Sequence, residues 1–119
     1  MNTRQVGYDA EELACNYLLK RGFKILKRNF TIRGGEIDIV AMDGAVLVFV
    51  EVKARYSHEY GLPQESITPW KIRALKKTAL FYVLQSKWGD RSYRIDLVAV
   101  DYTSEKVVPE IELIENITF

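Results

Sequence analysis

Asp38, Glu51 and Lys53 are the residues in this sequence whose types and spacing best suit chemistry. They read as an acid, twelve intervening residues, a second acid, one residue and a lysine. Two carboxylates that converge on one point repel unless a cation lies between them. Mg2+ prefers hard oxygen ligands and keeps several waters, so two carboxylates plus a substrate phosphate suit it. A divalent ion held there can lower the pKa of a water and polarise a phosphoryl oxygen. A lysine next to that pair could orient or deprotonate the attacking water, or offset the charge that builds on phosphate. The spacing alone has no weight: ten glutamates and nine lysines in 119 residues give about 0.7 Glu-x-Lys by chance. The setting matters more. Glu51-Val52-Lys53 ends a very hydrophobic run, where charged residues are costly unless paired or functional. The plain alternative is a Glu–Lys pair at a solvated strand end.

These residues need strands to position them. Val46 to Lys53 is rich in β-branched residues and reads as a central strand. Glu36 to Met42 alternates as a strand does, and Asp43-Gly44 between the two is a hairpin signal. Side chains on a strand alternate faces, so Glu51 and Lys53 share one face. If the hairpin is antiparallel, Asp38 comes close to Glu51. Glu36 falls on the face of Asp38, either as a third acid or as a solvated strand end.

Upstream, Ala10, Leu13, Ala14, Tyr17 and Leu18 form the apolar stripe of a helix expected from about Thr3 to Arg21, with Gly22 beyond its end. Glu11 lies at the edge of that stripe. Phe23 to Phe30 reads as a first strand, and Arg33-Gly34-Gly35 breaks the chain. Downstream, Tyr56 to Pro69 reads as a loop, and Thr68-Pro69 starts a second helix with proline at its first position. Its stripe is Ile72, Leu75, Ala79 and Val83. Tyr93 to Val100 reads as a strand and Val107 to Ile114 as a final one, pushed towards a sheet edge by Pro109. The order α-β-β-β-α-β-β predicts an α/β fold, a mixed sheet flanked by helices.

A length of 119 residues suits a single domain spanning 1–119. With 48% hydrophobic and 28% charged residues, composition is that of a soluble globular protein. The lone cysteine, Cys15, excludes an internal disulfide and fits a reducing compartment. Met1 to Glu12 lacks the apolar core of a signal peptide, and Ala45 to Val50 is too short to span a bilayer. A cytoplasmic location without membrane contact is therefore expected. The net charge of +1 hides an asymmetry: Lys20 to Arg33 carries six basic residues and no acid, while Asp101 to Phe119 carries five acids against Lys106 alone. Between Glu65 and Asp90 lie Lys71, Arg73, Lys76, Lys77 and Lys87, again with no acid. Such segments can form a basic face for a phosphate backbone, or simply be solvated edges. Asp96, set among apolar residues, suits a buried hydrogen-bonding or ion-pair role better than catalysis. Trp70 and Trp88 suit core or interface packing better than base stacking. Gln64 and Lys71 could reach phosphate, with plain solvent exposure the default, and the single histidine, His58, is assigned nothing.

Gly35-Glu36-Ile37-Asp38-Ile39-Val40 followed by Val48-Phe49-Val50-Glu51-Val52-Lys53-Ala54-Arg55 resembles the signature of the YraN family of uncharacterised bacterial proteins. Ala10 to Ala14, Arg28-Asn29-Phe30, Tyr60-Gly61-Leu62-Pro63 and Arg94 to Val100 extend the resemblance over nearly the whole chain. That family is similar in turn to archaeal Holliday-junction resolvases and, through them, to the PD-(D/E)xK nuclease superfamily. The resemblance implies a restriction-endonuclease-like fold, with Asp38 and Glu51 as metal ligands, Lys53 as the catalytic lysine, and Glu11 as the helix glutamate that completes the site. It also hints at a homodimer, because resolvases act as symmetric dimers. Two positions depart from pattern: Ile37 stands where the superfamily has proline, and Ala10 where the family usually has glycine.

The leading expectation is an endodeoxyribonuclease using Mg2+ (or Mn2+) and acting on DNA, with branched or otherwise structured forms as one option. Arg33, Arg55, Lys71, Arg73 and Lys77 are the expected nucleic-acid contacts. The rival is a module that keeps the fold and binds nucleic acid or a partner without catalysis. A purely structural adaptor has only the acidic, apolar C-terminus in its favour.

Overall fold

The computed structural model describes residues 9–57, 61–103 and 107–118. Its elements are α1 (Ala10–Lys20), β1 (Lys24–Ile32), β2 (Gly35–Asp43), β3 (Val46–Arg55), a short 3-10 turn at Pro63–Ser66, α2 (Pro69–Gln85), β4 (Tyr93–Asp101) and β5 (Glu110–Ile114). The five strands form one mixed sheet in sequence order. β3 and β4 run parallel, joined by α2, and the other neighbours are antiparallel. This α/β arrangement is consistent with a restriction-endonuclease-like fold.

Each sheet face buries one helix. The α1 side gathers Ala14, Cys15 and Leu18 with Ile39, Ala41, Val48, Val50, Val98 and Val100. The α2 side gathers Leu75, Ala79 and Val83 with Val40, Leu47, Phe49, Ile95 and Leu97. Strand alternation separates the two sets: Leu47 and Phe49 face α2, Val48 and Val50 face α1. Both predicted helix stripes point inward.

Helix α1 starts at Ala10, the first residue of its apolar stripe. Asp9 is its cap, and its carboxylate accepts the backbone N–H groups of Glu11 and Glu12. A side chain that satisfies free first-turn donors ends a helix on its N-terminal side, so Asp9 sets the boundary. The rest of the expected start, Thr3 to Tyr8, lies outside the described residues, as does His58. The final strand begins at Glu110, just after Pro109, and forms a sheet edge. Trp70 is 70% exposed, with the Arg73 guanidinium 4.6 Å from its ring centre, so of the core or interface packing expected for it the core is ruled out. Trp88 does pack against the α2-side core.

Helix α2 crosses the start of β2 very closely. A Cβ added at Gly35 would collide with the Thr78 hydroxyl, which donates to the Ala74 carbonyl at 2.7 Å. Gly35→Ala should therefore cost about 1–3 kcal/mol, the typical effect of overpacking. Urea unfolding checks this. An unchanged midpoint would show that α2 can move away freely.

Candidate active site

The central strands part where the site lies. β2 and β3 pair from Asp43↔Val46, which flank the two-residue Gly44-Ala45 turn, to Ile39↔Val50, and no further. Beyond that point β2 stays with β1, and β3 continues along β4 from Glu51↔Leu97 to Arg55↔Asp101. Asp38 and Glu51 are the first residues past the divergence. The Asp38 carboxylate fills the gap by accepting the Val52 N–H at 2.8 Å, in place of a carbonyl from a paired strand.

A local reversal in β1–β2 aims Asp38 there. Ile37 packs on the α2 side and Ile39 on the α1 side, although residues two apart on a regular strand share a face. Across from this step lies Asn29, between the pairs Arg28↔Ile39 and Phe30↔Ile37, with a left-handed φ of 55°. Asn is among the few residues that adopt that conformation readily. The alternation that placed Glu36 beside Asp38 therefore does not hold through this region, and Glu36 is exposed.

Asp38 faces Glu51 closely enough for its negative charge to act on the Glu51 carboxyl. Burial, and then the adjacent Asp38 charge, push the Glu51 pKa up from 4.5 to about 7, while the Lys71 ammonium pulls it the other way. Lys71 Nζ stands 3.2 Å from Glu51 Oε2. Glu51 lies on the α2 face beside Leu97, and β3 pairs regularly through Lys53↔Ala99, which keeps Lys53 on that face. Lys53 is exposed and, with Arg55, Tyr56 and Ser66, borders a cavity of about 290 Å³.

Glu11 is engaged differently. Its carboxylate takes the Arg28 guanidinium at 3.1 Å and the Asn29 amide at 3.0 Å, so it stands beside the residue opposite Asp38. Among the described residues, no three His, Cys, Asp or Glu side chains form a group able to hold a metal. Asp38 and Glu51 do fit a Mg2+-type ion on chemical grounds. They offer two converging hard oxygen donors whose mutual repulsion already calls for a cation, and Mg2+ takes its other ligands from water and phosphate.

The expected nucleic-acid contacts are spread more widely. Lys77 Nζ lies over Gly34, next to Arg33 in the β1–β2 turn. Arg73 stacks on Trp70, and Arg55 donates to the Gly61 carbonyl at 2.5 Å. Lys71 pairs with the acid site. No pattern in the sequence pointed to that pairing; the one available signal was a lysine in a first helical turn, where acids are usual. Asp96 is fully buried and held by Arg94 at 3.0 Å and by the Asn116 N–H at 2.9 Å, which makes it structural.

Fold and site together define a class: α/β proteins of restriction-endonuclease-like build whose central strands diverge around a carboxylate pair. The chain belongs to the uncharacterised protein family UPF0102, the YraN family, which it matches over residues 10–100. It is 42% identical to a UPF0102 protein of Geobacter metallireducens, covering 98% of this chain and 93% of that one. It is 44% identical to one from Caldicellulosiruptor saccharolyticus, covering 98% of both. A UPF0102 protein of Clostridium tetani is 39% identical over 95% of this chain and 93% of its own length. No helix among the described residues is long and apolar enough to cross a membrane.

Proposed function

We propose that this protein is a Mg2+- or Mn2+-dependent endonuclease that hydrolyses DNA phosphodiester bonds in the cytoplasm. The observation that carries the reading is the convergence of Asp38 and Glu51 where β2 and β3 part, with Lys53 next on the same face. A divalent ion bound there would polarise a phosphoryl oxygen and supply a more acidic water. Asp38, fixed by the Val52 N–H, and Glu51, fixed by burial, would hold that ion. Lys53 is free enough to orient the attacking water or meet charge on the phosphate. Glu11, tied to Arg28 and Asn29, supports the Asp38 side from the rim.

The cations on and before α2 provide the sequence-independent attraction. Arg33, Arg73, Lys76 and Lys77 are exposed or half-exposed. If about three of them neutralise phosphates, affinity falls roughly 40-fold between 50 and 200 mM salt, by counterion release. Fluorescence anisotropy with a labelled junction and a plain duplex measures this. Binding that is flat with salt, or absent, would remove DNA as the partner.

One observation favours the rival reading. Lys71 already gives Glu51 a cation, as a module without catalysis would need. Cleavage of a labelled set of DNA structures, titrated with Mg2+ and Mn2+, separates the two: the nuclease cuts only with metal, and the binding module never cuts.

A further inference from the structure

Thr68 caps α2 by accepting the Lys71 N–H at 3.1 Å, and with Pro69 first, Lys71 is the third helical residue. That position is where a capping box places Glu or Gln, because a helix N-terminus carries positive partial charge. The other helix follows the rule, with Glu11 and Glu12 in its first turn, whereas the first turn of α2 holds no acid. A lysine there goes against its local field, so its position calls for a partner. That partner is Glu51. The lysine side chain is 41% exposed and that of Glu51 only 10%, so the ammonium reaches in from solvent onto a buried acid. Asp38, pinned by the Val52 N–H, approaches Glu51 from β2.

We propose that Lys71 is an exchangeable counterion of the acid pair, seated on Glu51 without metal and released to a substrate phosphate oxygen when a divalent ion takes the carboxylate. This rests on the metal-dependent reading above. An ammonium 3.2 Å from a carboxylate oxygen is strongly repelled by a doubly charged ion bound to that same carboxylate. Its flexible four-carbon stem and half-exposed position let it move without unpacking α2. Two consequences follow. Metal binds more weakly than the carboxylates alone would allow, because each ion displaces an ammonium. Substrate phosphate offers the displaced ammonium a new partner, so metal and DNA favour each other's binding, and equally in both directions. Lys71 thus couples the two ligands.

The test measures Mn2+ binding to the full chain by electron paramagnetic resonance, for wild type, Lys71→Met and Lys71→Gln. Thermal melts confirm folding. DNA affinity is then measured in Ca2+ with a labelled duplex. Both variants should bind Mn2+ about fivefold more tightly, as expected when one competing, partly exposed ion pair is removed. They should bind duplex more weakly in Ca2+. A lysine that merely ties α2 to the sheet would instead lower the melting temperature and leave Mn2+ affinity unchanged or weaker, which overturns the exchange. So would unchanged duplex affinity in Ca2+. If wild type binds Mn2+ and cuts DNA while both variants match it in Mn2+ affinity, the exchange alone fails. If no form binds Mn2+, the exchange falls together with the nuclease reading.

Discussion

Asp38→Asn and Glu51→Gln should each lower Mn2+-dependent DNA cleavage by about 10³-fold or more. Each change keeps side-chain shape and removes one negative ligand from a two-carboxylate set. The Lewis-acid contribution of a bound ion is several kcal/mol, and each 1.36 kcal/mol is tenfold in rate. Metal affinity should fall with the rate. DNA binding without metal should hold or tighten, because one carboxylate no longer repels phosphate. Lys53→Ala should behave differently: metal binding is largely spared, and the rate drops by about 10²–10³-fold, since its role lies in the transition state. The measurement is single-turnover cleavage of a fluorescent DNA set by wild type and the three variants, alongside Mn2+ binding. A Glu51→Gln protein that cuts like wild type would show that the carboxylate pair is not the reacting centre.

In metal-free buffer at pH 8, Glu51→Gln should be more stable than wild type. Glu51 is 7% exposed and faces Asp38, and its pKa stands at about 7 against an ordinary 4.5. Below pH 4.5 both folded and unfolded chains carry the proton, and Glu51 places no burden on folding. Between 4.5 and about 7 the unfolded chain ionises while the folded one does not, so wild-type stability declines as pH rises. Above 7 the folded protein carries the full penalty, about 3 kcal/mol for a shift of this size. Glutamine stays neutral throughout and removes that slope. It also gives up the Lys71 ion pair, a small loss because the lysine remains solvated. The expected gain at pH 8 is about 2–3 kcal/mol, or on the order of 10 °C in Tm, shrinking towards nothing at pH 4. Saturating Mg2+ should raise the melting temperature of wild type and leave Glu51→Gln unmoved. Parallel pH profiles for the two proteins would show that Glu51 is not under strain in the folded state.

Much of this protein is legible in its residue order, because the relevant forces are local. Period-two alternation around Asp43-Gly44 is enough for the hairpin and for placing Glu51 and Lys53 on one face. Stripes at helical spacing are enough to assign the inward faces of α1 and α2. Pro109 marks an edge strand, and the isolated Asp96 marks a buried polar group that needs a partner. Chemical type, the hydrophobic run that Glu51 and Lys53 end, and the family resemblance together nominate Asp38, Glu51 and Lys53. What the sequence could not contain is the outcome of long-range packing. The divergence of β2 from β3 depends on which neighbour each strand follows, β1 or β4, and no local pattern encodes that competition. The step at Asn29 breaks the alternation that joined Glu36 to Asp38, because a single left-handed residue re-aims the strand opposite it. Trp70 stays in solvent because Leu75, Ala79 and Val83 already fill the side of α2 that meets the sheet. Lys71 reaches Glu51 across twenty residues of chain only because α2 packs over the end of β3, and that contact, more than any motif, sets the charge balance of the acid pair.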